Sequence, residues 1–297
     1  MKLTAPVYYK KFKCIADKCR HSCCVGWEID VDEKTLEKYA ALKGENAKRV
    51  QNSLEICDTG AHFKLGEGER CPHLDSCGLC NIITEYGEDM LCDICREHPR
   101  FYNLTARGKE VGIGAACEAA ANIILSSEDY RSMLEIGDSF EKIYEKEIDT
   151  PPIRDEVYSI LSNDSTKYEN RLERLYEKYA ASPKSLSDEE WREIIENLEY
   201  LEQSHRDLFS SYTSSPKVSP EHEKSLERFL AYLIYRHASG ADTSEELRIS
   251  LGFCFFLERL LSSLLPSGIE PQELARIISE EIEYSEENTE TIKLEFI

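Results

Sequence analysis

The sequence predicts an α+β protein that is mostly α, with a Cys-rich, metal-stapled N-terminal domain containing short hairpins, followed by an α-helical bundle. Three observations predict it. Of 12 cysteines in 297 residues, eleven fall between Cys14 and Cys117. The net charge of −21 is carried almost wholly by residues 126–297, which hold 19 Lys+Arg, 38 Asp+Glu and one cysteine, Cys254. Residues 1–125 are nearly neutral at −2. Apolar residues recur at three- and four-residue spacing through the second part, whereas the first is broken and turn-rich. Two domains follow, 1–125 and 126–297, and the length allows a sizeable buried core.

The elements can be taken in order. Asp32 reads as the N-cap of a helix reaching Leu42, with Gly44 as its stop, and 46–56 reads as a second short helix. AHFKLGEGERCPHL (61–74) reads as two short strands around Gly66-Glu67-Gly68. FYNLTARGKEVGI (101–113) reads as a hairpin turning at Arg107-Gly108. CNIITEYG (80–87) and EDMLCDICREHP (88–99) read as short helices, and CEAAANIIL (117–125) as a buried one. The second part has helical periodicity in 128–147, 154–162, 166–180, 188–212, 220–238, 244–265 and 271–284. Within 220–238, Leu226, Leu230, Leu233, Ile234 and Tyr235 form the predicted buried stripe. Glu221, Glu223, Lys224, Glu227 and Arg228 form the outer face. Ser187 and Ser219-Pro220 mark helix starts, and Pro266-Ser267-Gly268 marks a stop. Residues 182–185 and 213–220 are short connectors, with no internal repeat and no low-complexity tract.

Composition excludes several classes. A chain with 41% hydrophobic residues is globular and not disordered throughout. Its negative charge argues against nucleic-acid partners. No apolar run is expected to reach the roughly 18 residues that a membrane span requires. The start, MKLTAPVYYKKFKC, lacks the apolar stretch of a secretion signal. The expected address is cytoplasmic, where thiols stay reduced and dense cysteine points to metal or redox chemistry and not to disulfides.

The cysteines run Cys14-x4-Cys19-x3-Cys23-Cys24, then Cys57, Cys71-x5-Cys77-x2-Cys80, Cys92-x2-Cys95 and Cys117. On a helix over 88–97, Cys92 and Cys95 are i and i+3 and share a face. A loop-rich region with few long apolar runs needs a staple, and convergent thiolates supply one by holding zinc or an iron–sulfur cluster. Buried packing suits one or two free cysteines but not eleven. Only Cys77-x2-Cys80 and Cys92-x2-Cys95 have the shape of zinc knuckles. The uneven N-terminal run with a vicinal pair suits a polynuclear cluster better. The Cys-x3-Cys-x2-Cys signature of radical S-adenosylmethionine enzymes fails, because position 26 is Gly.

KCIADKCRHSCCVGWEIDVDEKT, CPHLDSCGLC and MLCDICREHPRFYN together resemble the FliB-type flagellin lysine N-methylases, relatives of a broader Cys-rich zinc/iron-chelating domain family. The resemblance is most specific over 1–125, including the flanks Gly26-Trp27 and His98-Pro99-Arg100-Phe101. It implies an iron–sulfur cluster (4Fe-4S) and methyl transfer from S-adenosylmethionine to flagellin lysines. Position by position, its pattern falls on Cys14, Cys19, Cys23, Cys24, Cys71, Cys80, Cys92, Cys95 and Cys117. Cys57 and Cys77 fall outside it as extra thiols. Nine thiolates exceed the four protein ligands of one cluster, and Cys14, Cys19, Cys23 and Cys95 are the first choices. Arg20, Arg96 and Arg100 are placed to offset cluster charge or grip a cofactor carboxylate. His98, before Pro, reads as a turn residue first and as a ligand or acid/base second.

GIGAAC (112–117) has the look of a Gly-rich nucleotide turn, which makes Gly112 and Gly114 candidates for cofactor contact. The third glycine position is Cys117, however, and a hairpin precedes the motif, so close backbone packing is the stronger reading. Trp27 can shield the Cys cluster, while Trp191 and Tyr176, Tyr179, Tyr200, Tyr232 and Tyr235 fit helix packing. The expected function is an S-adenosylmethionine-dependent protein lysine N-methyltransferase with an iron–sulfur cluster and a lysine-bearing protein partner, flagellin. The competing readings are a non-enzymatic zinc- or iron-binding protein and an electron-transfer partner.

Overall fold

The computed structural model describes residues 1–57, 60–141 and 145–297. Among them the strands are β1 (Lys2–Pro6), β2 (Asp30–Val31), β3 (Leu54–Cys57), β4 (Gly60–Phe63), β5 (Arg100–Thr105), β6 (Gly108–Ile113) and β7 (Met133–Asp138). They form an antiparallel sheet ordered β2-β4-β3 and a mixed sheet ordered β5-β6-β1-β7. In the mixed sheet β1 is parallel to β6 and antiparallel to β7. The chain divides into a Cys-rich unit, Lys13–His98, and a helical unit made of Met1–Phe12 with Pro99–Ile297. The compositional boundary at 125 falls inside a helix of the helical unit. Cysteine content follows thiol chemistry, whereas the division follows backbone pairing, and β1 pairs with β6 and β7.

The Cys-rich unit contains α1 (Glu33–Ala41), α2 (Glu45–Asn52), α3 (Asn81–Tyr86) and α4 (Asp93–Glu97). Asp32 caps α1 as the sequence predicts, accepting from the Thr35 N–H at 2.9 Å. Its other oxygen accepts the Asp93 N–H at 2.8 Å and so ties α1 to α4. Gly44, with φ of +102°, opens α2 instead of closing α1. The predicted 46–56 helix ends at Asn52, where the Ser53 hydroxyl donates to the Val50 carbonyl at 2.7 Å, and β3 begins one residue later. Only one of the two strands expected in 61–74 forms, because Gly68 and Glu69 both sit at positive φ and cannot prolong a ladder. The 88–97 helix breaks at Leu91, so Cys92 is the N-cap of α4 and not an interior residue. Tyr39, Val50, Phe63, Leu74 and Ile82 form the core with Cys71 and Cys92.

The helical unit contains α5 (Glu118–Ser126), α6 (Thr150–Leu161), α7 (Tyr168–Tyr179), α8 (Asp188–Glu196), α9 (Gln203–Phe209), α10 (Glu223–His237), α11 (Ser244–Leu264), α12 (Pro271–Ile278) and α13 (Glu286–Leu294). The expected 101–113 hairpin and 117–125 helix are present as β5-β6 and α5. The expected 128–147 helix is absent from the described part, where Met133–Asp138 forms β7; residues 142–144 lie outside the described residues. The 188–212 segment divides into α8 and α9, and α12 runs into a π-helical turn, Ser279–Glu283. Ser187 makes a full capping box with Glu190. The predicted stripe of α10 is buried, packed against α11. Glu227, expected outside, is buried as well, held by the Tyr130 hydroxyl at 2.9 Å and Arg171 at 3.1 Å. Ser244–Ser267 is long and apolar enough to cross a membrane by length and composition, contrary to the sequence expectation, and most of it is buried inside the unit.

Candidate metal centre

Five thiols share the core of the Cys-rich unit: Cys71 and Cys92 lie within it, and Cys24, Cys80 and Cys95 pack against it. They arrive from separate segments. Cys24 ends the N-terminal cysteine run, Cys71 follows the Gly68-Glu69 turn, Cys80 is the N-cap of α3, and Cys92 and Cys95 bracket the first turn of α4. Main-chain bonds set the spacing between them. The Cys71 N–H donates to the Cys24 carbonyl at 2.8 Å, the Asn81 N–H to His73 at 2.7 Å, and Leu74 and Cys80 form an isolated bridge. Asp75 braces the turn between Cys71 and Cys80 by accepting the N–H groups of Cys77 and Leu79, each at 2.8 Å.

Local electrostatics prepare some of these sulfurs for ionisation. The Cys23 thiol donates to Cys24, with help from Ser22 and Arg70, and brings Cys24 down to about 7 against the opposing effect of burial. Cys92 is lowered because the Cys95 thiol donates to it, and Cys95 is raised strongly by that same bond and then by burial. The two thiols titrate as a pair, and the hydrogen bond between them favours its first thiolate. Burial pushes Cys71 up to about 12 and raises Cys80, although backbone N–H groups point at both sulfurs, from His73 to Cys71 and from Ile83 and Ile82 to Cys80. Neutral thiols gain little from such donors, whereas metal-bound thiolates are stabilised by them. Sulfur donors that are buried or half-buried and approached by N–H groups are of the type that holds a Cys-ligated zinc ion or an iron–sulfur cluster. Among the described residues no disulfide joins any of the cysteines.

Of the first choices from sequence, Cys95 belongs to this group. Cys14 and Cys23 are exposed and Cys19 is half-buried, with its thiol donating to the His21 carbonyl at 3.1 Å. Cys57 and Cys77 are exposed. Cys117 lies in the helical unit, as the N-cap of α5, and Cys254 is buried within α11. Arg20 is exposed, and Arg96 is exposed with its guanidinium on Asp93. Arg100 is half-buried, bonded to the Tyr9 hydroxyl at 2.9 Å and lying 5.7 Å from the Phe12 ring centre. His98 closes α4 with its backbone N–H, as a turn residue does. Trp27 is half-buried, and Trp191 is fully buried against Phe256.

Both candidate glycines face protein. A Cβ on Gly112 would lie 2.2 Å from the Phe101 ring. One on Gly114 would lie 2.4 Å from the Tyr284 hydroxyl and 2.5 Å from Arg236 Nη1. Close packing accounts for the Gly-rich turn. Sequence reasoning passed over His73, which is buried, with Nε2 2.8 Å from the Ser53 hydroxyl and its ring edge-on to Phe63. A histidine directly after Cys-Pro was the available signal.

Comparison with known proteins agrees with the motif resemblance. The chain is 27% identical over 139 residues to a lysine-N-methylase of Salmonella typhimurium, a match covering 45% of this chain and 35% of the relative. A lysine-N-methylase of Salmonella choleraesuis matches to the same extent. The flagellar biosynthetic protein FliU of Salmonella muenchen is 27% identical over 133 residues, covering 43% of this chain and 79% of the relative. The match thus spans about a third of the length of the lysine-N-methylases. No family model and no solved structure matches. The resemblance to the FliB-type lysine N-methylases is borne out.

Proposed function

We propose that this chain is an S-adenosylmethionine-dependent protein lysine N-methyltransferase, with an iron–sulfur cluster in the Cys-rich unit and flagellin as substrate. The observation that carries the reading is the similarity to proteins named lysine-N-methylase. The name of the third relative supports a flagellar substrate. The five-thiol group supports the cluster, with Cys24 and Cys92 as the sulfurs that ionise most readily. When bound, such a cluster supplies redox-active iron held by thiolate. Methyl transfer forms a bond from the lysine Nζ to the methyl carbon, breaks the sulfonium S–C bond and releases S-adenosylhomocysteine. The ammonium must lose its proton before attack. The helical unit, at −15 of the total −21, suits a substrate rich in lysine.

Anaerobic purification followed by transfer from methyl-labelled S-adenosylmethionine to flagellin tests this. Brown protein with iron and acid-labile sulfide is expected, with label on lysine that Cys71→Ser abolishes. Colourless protein holding only zinc overturns the cluster. A charged enzyme that labels no lysine overturns the activity, and label on another protein overturns flagellin alone.

A further inference from the structure

An imidazole in the helical unit is approached by two consecutive carboxylates. His205, on α9, has a side chain only 10% exposed, and its Nδ1 lies 2.5 Å from Glu281 Oε1. Glu281 also accepts the N–H groups of Leu201 at 2.8 Å and Glu202 at 3.3 Å, just before α9. Glu280 comes to the same place, so that one donor atom from each of His205, Glu280 and Glu281 lies within 4.8 Å of the other two. Consecutive side chains on an α-helix diverge by about 100°. Here both belong to the π-helical turn Ser279–Glu283, a widened turn of the kind often found at functional sites.

Helix capping holds Glu281, and an ion pair with Arg276 holds Glu280 beside it. Arg276 is shared between Glu273 at 2.9 Å and Glu280 at 2.7 Å, and Glu202 lies 3.8 Å from His205 Nε2. The imidazole, itself 10% exposed, thus has the carboxylates of Glu280 and Glu281 as close neighbours.

We propose that His205, Glu280 and Glu281 bind a divalent first-row cation of the Mn2+ or Zn2+ class, clamping the start of α9 to the turn after α12. One imidazole nitrogen and two carboxylate oxygens suit such ions, and the donors come from two elements far apart in sequence. On binding, the cation replaces the proton between Nδ1 and Glu281, and that proton leaves to solvent. Donors at about 2.1 Å from the ion need the Nδ1–Oε1 separation to open to about 3 Å, a small adjustment. This site contains no thiol and is independent of the methyltransferase reading.

Electron paramagnetic resonance titration of Mn2+ into the full chain tests it, because Mn2+ prefers oxygen and nitrogen to thiolate. One ion per chain is expected. Glu280→Gln and Glu280→Asp should each weaken binding at least about tenfold, while Glu281 remains at the start of α9. Mn2+ should also raise the thermal midpoint of the wild type and not that of the variants. Circular dichroism confirms which variant retains the fold, and either one suffices. Absence of binding at millimolar Mn2+, or an affinity unchanged in a folded variant, overturns the site.

Discussion

Cys92 is pulled in two directions, since burial disfavours its thiolate while the thiol and backbone N–H of Cys95 favour it, and the donors win. Replacing it with alanine removes a core sulfur whose thiolate is favoured. Cys92→Ala is expected to lose most bound metal by elemental analysis, whereas Cys57→Ala, at an exposed thiol, keeps the wild-type content. Another residue-scale prediction concerns Arg154. Its guanidinium clasps buried Glu110 at 2.5 and 2.9 Å and donates to Ser239 at 2.8 Å. Arg154→Ala strands the carboxylate and should cost roughly 3–5 kcal/mol in urea unfolding. The sequence made the thiols plain as a class. Which of them meet was hidden, because Cys24, Cys71 and Cys92 are joined by turns whose geometry depends on Gly68, Asp75 and Leu91. The Arg154–Glu110 pair was hidden for a similar reason: its partners are 44 residues apart and neither belongs to a local pattern.

Caps and close approaches decide the elements. Ser187→Ala removes one half of the α8 capping box and should lower stability by about 1 kcal/mol in thermal or urea denaturation. Gly112→Ala places a methyl into the Phe101 ring and should cost about 1–3 kcal/mol, with Phe101→Leu recovering part of it in a double-mutant cycle. If the double variant is merely additive, the Phe101 contact is not the cause. Long helices were legible because each carries a stripe several turns long, as α10 and α11 do, although α10 starts at Glu223 and not at Ser219-Pro220. The strands β1, β3 and β7 were not. Each has four to six residues, too few for alternation to stand out, β3 and β7 lie in segments with a competing helical pattern, and each exists because a partner lies alongside. The 88–97 segment failed differently. Its helical residues are real, but an extended Leu91-Cys92 separates two turns that composition alone joins.

At the scale of the molecule, acidity acts twice. Glu283 is buried, which alone would raise it, yet Arg236 and His237 bring it down to about 2 from the usual 4.5. Its contribution to stability is therefore full above pH 4.5 and disappears as the pH falls through 2. Urea midpoints measured over that interval should fall more steeply for the wild type than for Glu283→Gln, and parallel profiles would remove Glu283 from the account of acid unfolding. The charge of the helical unit acts outward. If it gathers a lysine-rich substrate, KM should rise several-fold between about 50 and 300 mM salt while kcat holds. The interruption of the helical unit by Lys13–His98 has a consequence for the order of assembly. On the ribosome β1 emerges before the Cys-rich unit but has no partner until Gly108–Ile113 and Met133–Asp138 have been made. Every residue of the five-thiol group is out before then. Synthesis at about 5–20 residues per second gives the Cys-rich unit a head start of seconds, during which metal delivery competes with thiol oxidation in a nascent chain. Loading can thus precede the closing of the larger sheet, and metal starvation during translation should leave chains that later metal restores only in part.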